Sequence, residues 1–240
     1  MTRQQDPKLD SPWPKQEERE RERIIKRDAV LDTAVRMFNE KGFRATSIDQ
    51  VAIALNVTKP TIYHYFSNKD EILFECVRKG LQVTLDAAQK VEKQGGNGLE
   101  RLKSLIHDYA VIATEPFGKC VTRTADHDLS EASRKKFRAL KRETDAVIRK
   151  VVVSGMQDGS ITAGDPRLVT FCVSGALNWI SRWYEQDGSL SPEEIAETYV
   201  DILINGLAVR RWVAPSSDCT ATLDPNNPFD NAEVRQNTHE

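Results

Sequence analysis

Between residues 46 and 70 stands a set of side chains with the right types and spacing to read a nucleic acid. Lys59 can donate to guanine O6/N7 or to a phosphate, and Pro60 and the Thr61 methyl can lie against a thymine methyl. Tyr63 and His64 can hydrogen-bond to phosphate oxygens. Lys69 follows where the next helix begins, an end that attracts anions. Thr46 and Ser47 open the preceding helix and offer a neighbouring phosphate the same kind of seat, with Arg44 beside them as a further candidate. Other chemistry is poorly supplied. The four histidines are His64, His107, His127 and His239, and none belongs to a metal or triad pattern. Asp126-His127-Asp128 puts carboxylates on both sides of an imidazole, but adjacent residues on a helix diverge. Cysteines at 76, 120, 172 and 219 show no close-paired zinc spacing. Cys76 and Cys172 fall on apolar helix faces, where a structural thiol is the expectation, and nothing supports a redox role for Cys120. With no Gly-rich phosphate loop either, the chain is read as a non-enzyme that needs no cofactor.

These residues need elements to hold them. In TSIDQVAIALNVTKPTIYHYFSNKD, Ile48, Val51, Ala52 and Leu55 form a short apolar stripe. Asn56 suits the left-handed residue that ends a helix, Val57 can pack inward, and Thr58 can cap a second helix of about Lys59 to Phe66. Pro60 fits an early helical position, where its missing N–H has no partner to lose. Ile62 and Phe66 then face inward and Lys59, Thr61, Tyr63 and His64 outward, while Tyr65 is read as packing. Two such short helices must dock on a longer one. Ile24, Asp28, Leu31, Val35 and Phe38 supply it, ending at Gly42. The arrangement is a helix-turn-helix, whose second helix enters the major groove. A helical adaptor that binds only proteins would leave the outward Lys-Pro-Thr-x-Tyr-His set unexplained.

The remainder also reads as helix. Stripes run from Ile72 to Ala88, Leu99 to Ile112, Phe137 to Val151, Leu168 to Trp183 and Ile195 to Leu207, with a less regular piece around Pro116 and Gly118. Thr46, Thr58, Ser67, Ser130, Asp165 and Ser191 are candidate N-caps, and Ser191-Pro192-Glu193-Glu194 combines a capping box with proline at the first helical position. No β-alternation of useful length occurs, so the fold class is all-α. Four segments are expected: an arm at 1–22, disordered or partly helical; a helix-turn-helix domain at 23–68; a larger helical domain at 69–212; and a flexible tail at 213–240. Arg19, Arg21, Arg23, Lys26 and Arg27 alternate with glutamates and read as a solvated extension of the first helix. The net charge of −2 divides into 15 basic against 13 acidic residues up to position 80 and 19 against 23 beyond it, too mild an asymmetry to identify a nucleic-acid partner. No signal peptide or membrane-spanning run is read, which implies the cytoplasm.

Residues 28–74, and above all VTKPTIYHYFSNKDEIL, resemble the amino-terminal domain of the TetR/AcrR family of transcriptional regulators. The resemblance implies that Lys59, Pro60, Thr61, Tyr63 and His64 lie at DNA and that Lys69 holds a phosphate. It implies a homodimer through the last two long helices, about residues 166–211, binding a palindromic operator. It also implies a small-molecule effector pocket in the larger domain, for which His107, Tyr109, Phe117, Phe171, Asn178, Trp179 and Arg182 are the candidate lining. GALNWISRWYEQDGSLSPEEIA is similar to regulators of fatty-acid or steroid breakdown that sense acyl-CoA thioesters, and Arg123, Lys135, Lys136 and Arg182 are candidates for the CoA phosphates. The expected function is a repressor released by an acyl-CoA or another hydrophobic metabolite.

Overall fold

A computed structural model describes residues 16–207 of the 240-residue chain. Among these residues are nine α-helices, one 3-10 turn and no strand: α1 (Gln16–Lys41), α2 (Ile48–Ala54), α3 (Lys59–Tyr63), α4 (Lys69–Glu92), α5 (Gly98–Thr114), α6 (Pro116–Arg123), the 3-10 turn (Asp126–Asp128), α7 (Glu131–Gln157), α8 (Pro166–Trp183) and α9 (Pro192–Leu207). The tail expected at 213–240 and the arm up to residue 15 lie outside the described residues, as does Cys219.

α1 is helical from Gln16 onward, so the arm and domain boundary expected at 22/23 falls inside a continuous helix. Its first turns are exposed and held by surface pairs such as Lys26–Glu22 at 3.0 Å, and Ile24, expected on the packing face, is exposed too. Further on, Val30, Leu31, Ala34, Val35 and Phe38 turn inward. Gly42 ends the helix at φ +85°, a conformation that a residue with a Cβ adopts only under strain.

Two apolar cores divide the molecule. The first gathers α1, α2 and α3 with the amino-terminal half of α4, together with Cys120, Leu129 and Phe137. The second joins the far half of α4 to α5, α7, α8 and α9. The first core therefore runs on past the boundary expected at 68/69: Ile72, Leu73, Cys76 and Val77 of α4 close the floor beneath α2 and α3. Between the cores α4 and α6 touch backbone to backbone. A Cβ at Gly80 would overlap the Phe117 carbonyl and the Val121 side chain, so only glycine permits this approach. The piece around Pro116, expected to be irregular, is a regular helix of two turns with proline in its first turn.

Several caps settle differently from expectation. Asn68, not Ser67, caps α4: its Oδ1 accepts from the Glu71 N–H at 2.8 Å, while the Ser67 N–H donates to Glu71 Oε2 at 2.7 Å. Ser47 caps α2 through a reciprocal box with Gln50, and Thr46 stands one residue outside it. Ser130 and Asp165 cap α7 and α8 as expected. No described helix is long and apolar enough to cross a membrane.

Candidate functional site

The turn between α2 and α3 is built from two backbone bonds. The Val57 N–H donates to the Ala52 carbonyl at 2.9 Å and the Asn56 N–H to the Ile53 carbonyl at 3.0 Å. This is a Schellman closure, with Asn56 left-handed at φ 53°. Val57, expected to pack inward, is instead exposed. After the turn, α3 spans Lys59–Tyr63, shorter than the stretch to Phe66 read from the sequence. Ile62 is wholly buried and Phe66 nearly so, both in the first core. Two anchors on one face fix which side chains remain outside.

Lys59, Pro60, Thr61, Tyr63 and His64 are all exposed, and Tyr63 keeps 44% of its surface in solvent. The Thr61 and Thr58 hydroxyls lie 2.9 Å apart, so one hydrogen bond fixes the start of the helix. His64 meets Tyr65 edge to face, and Tyr65 is half-buried against the core as expected. Lys59 Nζ lies 2.8 Å from Asp49 Oδ2 on α2, and this pairing raises its pKa. Sequence reasoning missed Asp49.

At the α4 amino end two cations, Lys69 and Arg44, stand among the carboxylates of Asp70, Glu71 and Asp128. Burial lowers the pKa of Lys69, whose ammonium sits 4.2 Å over the Phe43 ring and 3.5 Å from the Arg44 carbonyl. Arg44 is largely exposed, with Nε 3.3 Å from Asp128 Oδ1. Ser47 stays exposed beside them. Thr46 does not. Its side chain is buried, and its hydroxyl donates to the Met37 and Gly42 carbonyls at 3.2 and 3.0 Å. Thr46 therefore fastens the loop to the end of α1 and leaves the contact set. The carboxylates flanking His127 are likewise engaged, Asp126 with Arg138 and Asp128 with Arg44.

Inside the larger domain a cavity of about 360 Å³ lies among α4, α5, α6, α7 and α8. Three of the seven expected lining residues meet there: Tyr109, Phe171 and Asn178. Burial pushes the Tyr109 phenol up to about 12, so it stays protonated and donates to Asn178 Oδ1 at 2.8 Å. The other four stand elsewhere. His107 opens on an outer groove with Lys90 and Glu197, and Phe117 packs toward α4 with Lys79 Nζ 4.5 Å above its ring. Trp179 faces solvent, 64% exposed, and Arg182 Nη2 donates to the Thr122 carbonyl at 3.2 Å. Thr122, Lys141, Thr144, Asp145 and Ser174 line the cavity but were not anticipated, because they approach only when α6, α7 and α8 pack around α5. None of the four cations expected at CoA phosphates lines it. Arg123 and Arg182 bond backbone carbonyls, and Lys136 lies near the Phe74 ring.

Cys76 and Cys120 are buried, and burial pushes Cys76 well above the ordinary thiol range and Cys120 up to about 12. They are packing thiols. Cys172, expected on a buried face, is exposed.

Comparison with known proteins bears on both halves. The model for bacterial regulatory proteins of the tetR family matches residues 30–76, and the model for the tetracyclin repressor-like C-terminal domain matches residues 95–207. The crystal structure of PfmR from Thermus thermophilus, a TetR-family transcriptional regulator, superposes with a TM-score of 0.69 at 30% identity, over 76% of this chain and 99% of that one. The chain belongs to the TetR family. It is thus a DNA-binding helix-turn-helix transcriptional regulator, and α2 and α3 lie within the matched amino-terminal segment. Two further proteins are similar to this chain. AibR, solved in complex with isovaleryl coenzyme A and operator DNA, superposes with a TM-score of 0.66 at 26% identity, covering 74% of this chain and 97% of that one. The transcriptional repressor KstR2 of Mycolicibacterium smegmatis is 24% identical over 192 residues, 76% of this chain and 90% of the repressor.

Proposed function

We propose that the protein is a repressor that binds a palindromic operator as a homodimer and releases it when a small molecule fills the cavity. The observation that carries the DNA-binding half is the division of α3: Ile62 is wholly buried on one face, and Lys59, Pro60, Thr61, Tyr63 and His64 are all exposed on the other. Lys59, Pro60 and Thr61 read base edges. Ser47, Tyr63, His64 and Lys69 hold phosphates.

The homodimer reading is supported by an apolar stripe on α8. Leu168, Phe171 and Trp179 are exposed by 67%, 58% and 64%, Trp183 extends the row, and Ile202 of α9 is exposed as well. Gly175, also exposed, sits within the stripe. A row of large apolar side chains left in water along one helix face is a mark of a protein–protein contact. A two-fold pairing would set two recognition helices about 34–36 Å apart, one turn of DNA.

For the effector, AibR and its isovaleryl coenzyme A support an acyl thioester. The cavity's chemistry supports an uncharged, largely apolar group at its inner end. Tyr109 and Asn178 are placed to bond a carbonyl or hydroxyl. At about 360 Å³ the cavity takes an acyl chain or a small ring system, and a nucleotide portion would remain outside. The test is selection of duplexes from a random library by the full chain, followed by footprinting. Recovery of a palindrome whose binding is lost in Tyr63→Ala and Lys69→Ala supports the assignment, and unchanged binding by both variants refutes it. Titration of acyl-CoAs, free fatty acids and aromatic compounds against the bound duplex then identifies the releasing class.

A further inference from the structure

We propose that Arg123, at the end of α6, is the positioning residue that couples occupancy of the cavity to the DNA-binding head. The inference rests on reading the cavity as the effector site. One guanidinium holds the carboxy-terminal ends of two helices belonging to different cores. Its Nη1 donates to the Asn39 carbonyl of α1 at 2.8 Å, while Nε and Nη2 donate to the Ser181 carbonyl of α8 at 3.2 and 3.0 Å. Both carbonyls lie in the last turn of their helices, where no intrahelical N–H is available and the dipole concentrates partial negative charge. A cation bonded to such oxygens makes charge-assisted hydrogen bonds, stronger than neutral ones.

The same junction is laced in the other directions. Asn39 Nδ2 donates to the Pro116 carbonyl at 2.8 Å, tying α1 to the start of α6. Arg182 Nη2 reaches the Thr122 carbonyl from α8. Thr122, next to Arg123, lines the cavity and hydrogen-bonds through its hydroxyl to that of Ser181, the residue whose carbonyl Arg123 holds. A group entering the cavity meets Thr122 directly and bears on α8 at Ser174 and Asn178, within two turns of Ser181. Parting α6 from α8 there moves the Ser181 carbonyl relative to Arg123. Because Arg123 also holds α1, the end of α1 that leads into α2 must follow or let go.

A four-protein comparison tests this without a known effector, using a bulky side chain as the occupant. The full chain, Ser174→Phe, Arg123→Gln and the double variant are titrated against one duplex selected from the random library, with folding checked by thermal melting. Ser174→Phe is expected to weaken binding at least tenfold in the wild-type background and less than twofold beside Arg123→Gln. Arg123→Lys, a single ammonium that cannot span both carbonyls, is expected to fall between, and it carries the comparison if Arg123→Gln does not fold. Equal loss in both backgrounds overturns the role of Arg123 and leaves the effector reading standing. No loss in either background overturns the effector reading of the cavity, and the coupling with it.

Discussion

Lys59 Nζ is bonded to Asp49 Oδ2 at 2.8 Å, so the side chain best placed to meet a guanine or a phosphate already has a carboxylate partner on the neighbouring helix. The pair is exposed and screened by salt. Contact with DNA must exchange that carboxylate for an acceptor on the duplex, and Asp49 is left facing a polyanion. Asp49→Asn is expected to tighten binding by about threefold or more at low salt, for specific and non-specific duplexes alike. Fluorescence anisotropy against the selected site and a scrambled one checks this, and weaker binding by the variant would reverse the assigned role.

Lys69 serves differently. Its ammonium rests on the Phe43 ring at 4.2 Å, at the amino end of α4 and outside α3, the helix proposed to read bases. Lys69→Ala should therefore weaken all sequences to a similar degree and lower the slope of log K against log salt by about 1. A loss confined to the specific site would assign it to base reading.

Ile62 and Tyr63 are adjacent, yet their substitutions should separate stability from binding. Ile62→Ala removes a wholly buried anchor and is expected to cost about 2–5 kcal/mol in urea unfolding. Tyr63→Phe removes only an exposed hydroxyl, leaves the unfolding midpoint in place and weakens the duplex complex.

Asp70 ties the start of α4 to the start of α7. Burial alone would raise its pKa, but hydrogen bonds from the Ser133 hydroxyl and from the Ser130 N–H and hydroxyl outweigh burial and hold the carboxyl below its ordinary value. A depressed carboxyl contributes stability that is present above its unfolded pKa, about 3.9, and is lost as pH falls through the lower folded value. Asp70→Asn should lower the midpoint at neutral pH and flatten the acid limb of stability below about pH 4. Denaturant midpoints between pH 3 and 7 would show it, and parallel curves for the two proteins would contradict it.

Trp179 presents 64% of its surface on the α8 stripe. Trp179→Asp is expected to raise the dimer dissociation constant by about thirtyfold or more, which corresponds to an interface hot spot of about 2 kcal/mol. Sedimentation velocity across a concentration series measures this directly. A wild-type chain that is monomeric at micromolar concentration would remove the homodimer from the proposed function.

The helix-turn-helix geometry was legible in the sequence because its determinants are local. Asn56 closing one helix, Thr58 opening the next, and Ile62 and Phe66 four residues apart are short-range facts, and they fix which side chains face out wherever the pair docks. The same local logic placed Gly42, the caps at Ser130, Asp165 and Ser191, and the all-α class. It failed where a side chain's surroundings come from distant segments. Thr46 has the residue type of a phosphate ligand, but the end of α1 folds back and takes its hydroxyl. His107, Phe117, Trp179 and Arg182 lie on apolar or polar stretches that a pocket needs, yet helical rotation and packing send them to an outer groove, a core, the α8 surface and an α6 carbonyl. Thr122, Asp145 and Ser174 give no sequence signal, since they become neighbours only when α6, α7 and α8 close around α5. Arg123 is the clearest case. The sequence shows a cation at a helix end, and only the tertiary structure brings a last-turn carbonyl of α1 and one of α8 to the same guanidinium, because backbone acceptors leave no mark in the residue types that carry them.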